Sequence, residues 1–130
     1  MQLRSLLLVL LLLAPAALHA QNPSEPVSIE RTRPRPALRD SACLVPAYPD
    51  ILRQAGIEGQ AVVGFVVDTS GAVEPSSPRV LSFTHPLLEG PARAAVLRCR
   101  FSPGRLAGRV VRVQMQLALN FLLPAVRRPT

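Results

Sequence analysis

Two cysteines are the residues of this chain whose type and spacing say most about its chemistry. Cys43 and Cys99 are the only cysteines in 130 residues, and both follow a segment that looks like an export signal. Exported chains fold where disulfides persist. We therefore predict one disulfide between them, which would stabilise the fold by roughly 4 kcal/mol on the chain-entropy model. Two buried free thiols are the alternative.

The other reactive side chains do not form a recognisable catalytic or metal-binding set. His85 is the only histidine after residue 20, and neither cysteine has a partner at the spacing of zinc ligands. We expect His85 to help begin a helix. The remaining candidates are serines without a base and carboxylates that suit turns, surfaces or a helix start: Ser70, Ser76, Ser77, Ser82, Glu58, Asp68, Glu74 and Glu89. We predict that the protein is not an enzyme and has no metal or other cofactor.

Residues 1–20 have the pattern of a secretory signal peptide. Arg4 supplies positive charge, residues 6–13 are rich in leucine, and small residues before Gln21 offer a cleavage site. An uncleaved anchor in the inner membrane is the alternative. The apolar run of residues 6–18 is 13 residues long and contains Pro15, whereas a membrane span needs about 20 residues. We predict that the chain is exported.

The charge of the chain argues against a nucleic-acid partner. The formal net charge is +7, and every basic residue is an arginine. Proteins that bind nucleic acid interleave such residues with aromatic side chains, and this chain has no tryptophan and 1 tyrosine. We predict that it does not bind nucleic acid.

The mature chain divides into three parts. Residues 21–41 carry four prolines among charged residues and few apolar ones, which predicts an extended, mobile linker. Residues 42–123 contain the periodic apolar patterns of one compact domain. Residues 124–130 read as a short basic tail.

The first half of the domain predicts a short helix followed by a hairpin. Pro49 suits the start of a helix and Gly56 its end. Residues 60–67 are apolar on both faces, which is typical of a central strand. Asp68 and Gly71 bound a tight turn in which Asp68 hydrogen-bonds the backbone ahead of it and Gly71 takes a positive φ. The second strand, residues 72–83, contains two prolines and so belongs at a sheet edge.

The second half predicts a helix and the most regular strand of the chain. The helix begins near Leu88 and places Cys99 on its buried stripe. Residues 111–121 alternate between apolar and polar side chains. A right-handed crossover gives an α+β fold, with two helices packed on one face of a three-stranded antiparallel sheet of order 2-1-3. The helices cover the face that bears Phe65, Val113 and Phe121. The third strand is then an edge without a partner, which favours addition of an extended peptide.

The motifs of residues 48–121 also resemble the C-terminal domain of TonB proteins. The resemblance rests on six segments in the family's order and spacing: Tyr48-Pro49, Gly56-Ile57-Glu58-Gly59, Val63-Gly64-Phe65-Val66-Val67, Asp68-Thr69-Ser70-Gly71, Arg100-Phe101-Ser102-Pro103-Gly104 and the strand of residues 111–121. It implies a TonB/TolA-like fold and a periplasmic domain. It also implies that the domain binds the TonB box, an extended segment of outer-membrane receptors, in energy-dependent transport.

We place the partner-binding surface on the outer edge of the third strand. The predicted residues are Tyr48, Arg112, Val113, Gln114, Met115, Gln116, Leu117, Ala118 and Asn120. The predicted partner is a TonB-dependent outer-membrane receptor. Alternatives are a structural homodimer, formed through Val62 and Val66 on the outer sheet face, and a stand-alone interaction domain without energy coupling. Family transducers carry a serine and a histidine four residues apart in a membrane helix, unlike Ser5 and His19 here. An inner-membrane proton channel complex is therefore a partner only if the N-terminus stays anchored.

Overall fold

The computed structural model describes residues 25–124. The predicted signal peptide, the start of the predicted linker and most of the predicted tail lie outside the described residues. The helices are α1 (Asp50–Gln54) and α2 (Glu89–Arg98). The strands are β1 (Val27–Ser28), β2 (Ala37–Leu38), β3 (Gly59–Val67), β4 (Arg79–Phe83), β5 (Phe101–Ser102), β6 (Gly104–Leu106), β7 (Arg109–Val111) and β8 (Val113–Phe121).

The main sheet has four strands in the order β1-β8-β3-β4. β3 and β8 are antiparallel over their full length, from Gly59 opposite Phe121 to Val67 opposite Val113. β4 is antiparallel to β3, whereas β1 runs parallel to β8. The predicted α+β class and the two helices are confirmed. The all-antiparallel sheet of three strands is not confirmed, because a fourth, parallel strand pairs with β8.

The core lies between one face of this sheet and α2. Alternate residues of β3 and β8 point to that face, as the strand period of two requires, and most of them are almost fully buried. The Phe65 ring lies 5.6 Å from the Phe101 ring. α2 contributes its small buried residues, which allow close approach to the sheet: Ala92, Ala95 and Val96.

The predicted turn after β3 has the expected geometry. The Asp68 carboxylate accepts hydrogen bonds from the Ser70 amide (2.8 Å), the Ser70 hydroxyl (2.6 Å) and the Ala72 amide (3.1 Å). Gly71 has a φ of 90°. A Cβ atom at this position would overlap the Phe101 carbonyl oxygen, so only glycine fits.

The strand that follows is shorter than predicted. We expected residues 72–83, but only Arg79–Phe83 form β4, and Val73 makes a single bridge to Val67. The reason is that Pro75 and Pro78 cannot donate ladder hydrogen bonds. The Ser77 hydroxyl oxygen instead accepts from the Val66 amide (2.9 Å).

Residues 27–38, which we call the N-terminal strap, lie on the domain rather than in a free linker. Thr32 is completely buried, and its hydroxyl donates to the Ile29 carbonyl (2.8 Å). The Arg33 amide donates to the Arg105 carbonyl (2.8 Å). β2 pairs with β5 at the end of the strap. Residues 27–38 were predicted to be part of an extended linker; in the structure Val27 pairs with β8, and Ile29 and Leu38 pack against the core.

Candidate functional site

One edge of the main sheet combines regular backbone geometry with incomplete pairing. The Val27 amide donates to the Arg112 carbonyl (2.8 Å), so Arg112 turns its backbone toward β1. Because successive residues of a strand direct their backbone groups to opposite sides, Gln116, Ala118 and Asn120 share that direction. No strand within residues 25–124 pairs with residues 116–120 on this side. We call residues 116–120 of β8 the open edge.

The predicted partner-binding residues of β8 fall on two faces. The side chains on the core face are buried or half-buried: Val113, Met115 and Leu117. The side chains on the opposite face are exposed: Gln114, Gln116, Ala118 and Asn120. Val113 and Gln114 are already paired with β1. A segment added at the open edge would therefore meet backbone groups and these exposed side chains. Their binding role remains a prediction.

Arg112 makes its side-chain contacts within the protein. Its Nε and Nη2 atoms both donate to the carboxylate of Glu74, the second at 2.8 Å. Hydrogen bonding to Glu74 raises the pKa of the Arg112 guanidinium. This pair joins the start of β8 to the segment before β4, so Arg112 holds the sheet together across β3.

Tyr48 lies at the opposite end of β8. Its ring packs edge-on against Phe121 with centroids 5.8 Å apart, and its hydroxyl donates to the Ile57 carbonyl. The guanidinium of Arg53 lies over the same ring, 5.7 Å from the centroid. Tyr48 therefore has a fixed orientation, as an edge-positioned binding residue would need.

A cleft of about 720 Å³ lies beside Tyr48 at this end of β8. Residues 44–48 form one wall and residues 120–124 the other, with Arg53 at the rim. Val45 and Leu122 are 73% and 66% exposed, so the cleft presents apolar side chains to the solvent. We call it the end cleft. Exposed apolar walls of this kind suit an apolar side chain of a partner.

Both walls of the end cleft are fixed by contacts outside it. Cys43 and Cys99 form the predicted disulfide, with Cα atoms 5.1 Å apart, which attaches the chain before Leu44 to the end of α2. Arg98 donates to the Val45 carbonyl (3.3 Å). On the other wall, the Leu123 amide donates to the Glu58 carboxylate (3.1 Å).

Sequence reasoning missed several residues that shape this edge. Val27 and Ile29 belong to a segment read as a linker, yet Val27 pairs with β8 and Ile29 packs against the core. Leu122 and Leu123 follow the last strand and were left without a role. The apolar character of these positions was the available signal, although isolated apolar residues in a proline-rich segment carry little information.

His85 and Asp68, two of the reactive side chains, make hydrogen bonds that support turns. The Nδ1 atom of His85 accepts from the Leu87 amide (3.1 Å) at the start of the turn before α2, as predicted. Hydrogen bonds from the Ser70 hydroxyl, and to a smaller extent from backbone amides, lower the pKa of Asp68.

Residues 25–124 contain no group of three His, Cys, Asp or Glu side chains that could hold a metal ion. No helix among them is long and apolar enough to cross a membrane.

Comparisons with known proteins agree with the resemblance seen in the sequence. The solution NMR structure of the Pseudomonas aeruginosa TonB CTD superimposes with a TM-score of 0.55 at 24% identity, covering 71% of this chain and 90% of that chain. At this identity the likeness concerns the fold. No curated protein matches the chain significantly. The family model described as Gram-negative bacterial TonB protein C-terminal matches residues 45–123. Because this match covers more than half of the sequence, the chain belongs to the TonB C-terminal domain family.

Proposed function

We propose that this protein is a periplasmic module that binds an extended segment of an outer-membrane receptor, its TonB box, by adding it as a strand to the open edge. TonB C-terminal domains are periplasmic interaction modules rather than enzymes. The single observation that carries the proposal is the unpaired outer side of residues 116–120 in an otherwise fully paired, regular strand. A link to energy-dependent transport is part of the proposal.

The open edge offers the groups that strand addition uses. Gln116, Ala118 and Asn120 each direct one amide and one carbonyl outward, so a bound segment could form up to six backbone hydrogen bonds with them. Their side chains are exposed. Backbone groups supply most of the affinity in this binding mode, and alternate side chains supply selectivity.

The end cleft supplies a site for an anchoring side chain. It adjoins Asn120, the last open-edge residue, and its walls are held by the disulfide and by Glu58. A rigid apolar cleft beside a strand edge favours a segment whose apolar residue lies at that end.

The test is an NMR titration: a synthetic TonB-box peptide from an outer-membrane receptor is added to the isotope-labelled full chain, and the changes in amide chemical shift are measured. We expect shifts in residues 116–120 and in the end cleft. Shifts restricted to β4, or none at millimolar peptide, would contradict the proposal.

A proline substitution separates backbone binding from side-chain binding. Ala118→Pro removes an outward amide and leaves the hydrogen bonds between β3 and β8 in place, because those use the odd-numbered residues. We expect peptide affinity to fall about tenfold, since one backbone hydrogen bond and the local strand geometry are lost. Ala118→Ser keeps the amide and is the matched control. Its affinity for the peptide should be within about twofold of the wild-type affinity.

A second candidate function is homodimerisation through the outer sheet face. Val62 and Val66 are half-buried there, and Leu81 lies over Gly64 with 52% of its surface exposed. This small apolar strip is flanked by Gln114 and Gln116. Sedimentation should detect dimers that Leu81→Ser weakens, and a monomer at high concentration would remove this candidate.

A further inference from the structure

We propose that β1 and the turn Ile29–Arg31 terminate the open edge and thereby limit the bound segment to about five residues, the length of strand left unpaired. The inference rests on the proposed function and specifies which segments the edge accepts. It concerns the chain's own N-terminal strap, which lies on the same side of β8 that the partner would use.

The contact geometry shows where pairing stops. Val27 lies opposite Val113, and Ser28 lies opposite Gln114, in parallel register. The chain then turns at Ile29, whose side chain packs against the core, and the turn remains next to β8. A strand that approaches from Asn120 would meet this turn after Gln116.

The strap is attached too firmly to move aside as a whole. Thr32 and Pro36 are buried, and backbone hydrogen bonds join Arg33 and Pro34 to Arg105. A Cβ atom placed on Gly104 would lie 2.9 Å from Pro36, which shows how closely the strap and β6 approach each other. Only Val27 and Ser28, which precede these contacts, could leave the sheet alone.

The remaining edge has definite dimensions. Residues 116–120 span about 17 Å at the usual rise per strand residue. The strap closes one end, and the end cleft lies at the other. A fitting partner is therefore a short extended segment with an apolar side chain at the end that reaches the cleft. Longer pairing toward Val113 is excluded while β1 and the turn Ile29–Arg31 stay in place.

A length series on the full chain tests the limit. The probes are a five-residue TonB-box peptide and two nine-residue versions, one extended at its N-terminus and one at its C-terminus. Amide shifts in residues 121–124 identify the extension that points toward the end cleft. We expect the other extension, which points toward β1, to change Kd less than about twofold in the wild-type chain.

Two matched proline variants test whether β1 is the cause. Val27→Pro removes the amide that donates to the Arg112 carbonyl. Ser28→Pro is the control, because the Ser28 amide points away from β8 and its φ of −69° is one that proline adopts. Because Ile29 holds the turn against the core, release of this end needs both changes: Val27→Pro combined with Ile29→Ser should strengthen binding of the β1-directed peptide about three- to tenfold, since Arg112 and Gln114 can then pair with it. Ser28→Pro should bind like wild type.

Two results would overturn the inference, and they differ from each other. If the β1-directed peptide binds the wild-type chain more than about fivefold tighter than the short one, with loss of hydrogen-exchange protection at Val27, β1 is displaced and does not limit length. This result needs no variant, so it stands even if Val27→Pro folds poorly. If no peptide shifts residues 116–120, the proposed function itself fails, and the length limit with it.

Discussion

The two edges of the main sheet differ in how they are protected from further pairing. β4 has 5 residues, contains a bulge and follows two prolines, and its neighbour Val66 bonds to the Ser77 hydroxyl in place of a strand. β8 has 9 residues, no proline and unbroken register with β3. Irregular edges resist strand addition, whereas long regular edges invite it. This difference supports the proposal that the partner binds at the β8 edge and not at the β4 edge.

The β8 edge is also partly covered, but by contacts with distant parts of the chain. A strand from the N-terminal strap occupies one end, and the disulfide and Glu58 fix the cleft at the other. The protein therefore blocks one edge by its local sequence and shapes the other by tertiary contacts. Four predictions test this contrast.

The largest expected effect follows removal of the disulfide that supports the β8 end. Replacing both Cys43 and Cys99 with serine should lower the free energy of unfolding by roughly 4 kcal/mol, since 56 residues separate the cysteines. Urea denaturation measures the change. Reductant should destabilise the wild type similarly and leave the double variant unchanged. Equal stability of the two proteins would show that the crosslink does not anchor this end.

Prolines at adjacent β8 positions should have unequal effects on stability. Leu117 directs its amide to β3, so Leu117→Pro should destabilise the fold by about 3 kcal/mol or more. Ala118→Pro should cost clearly less, because its amide faces the open edge. Thermal unfolding of both variants gives the comparison. Equal losses would mean that the outward side of β8 is not free.

The ion pair between the two edges should contribute a smaller amount. The side chains of Arg112 and Glu74 are 33% and 25% exposed. We expect a coupling energy of about 1 kcal/mol between Arg112→Gln and Glu74→Gln in a double-mutant cycle. Additive losses in the cycle would show that the edges are not linked through this pair.

The smallest effect concerns the turn that leads from β3 toward β4. The pKa of Asp68 is lowered in the folded state, first by the Ser70 hydroxyl. Its carboxylate therefore stabilises the fold fully above its ordinary pKa of about 4, and this contribution is lost as the pH falls through the lower folded value. Asp68→Asn should cost at most about 1 kcal/mol at neutral pH after allowance for solvent screening. Its unfolding free energy should also depend less on pH below about 4. Parallel pH profiles for variant and wild type would contradict this assignment.

Local patterns were sufficient for most of the central fold. The alternation of residues 111–121 predicted β8 and its buried face, although β8 begins at Val113 and Val111 belongs to β7. The apolar run before Asp68 predicted β3. Gly71 and His85 act as their residue types predict. These features are stabilised by residues that lie close together in the chain, so the sequence pattern is enough to predict them.

The candidate site was less predictable than the fold. The sequence placed the site on the third strand but could not say which backbone groups face outward, because this depends on the register with Val27 and β3. It assigned Arg112 to partner binding, which remains a prediction, and did not show that Arg112 also pairs with Glu74, 38 residues earlier in the chain. The residues around an arginine in the sequence do not indicate which distant carboxylate its side chain will contact.

The sequence by itself was enough to predict the two helices, strands β3 and β8 and the turn after β3, and it favoured the disulfide between Cys43 and Cys99 that the structure contains. Only the tertiary structure decided that β1 pairs with β8 and leaves residues 116–120 open. The physical reason is that a two-residue strand has no periodicity of its own. Its position is stabilised by contacts with residues more than 80 positions away, which appear only when the chain has folded.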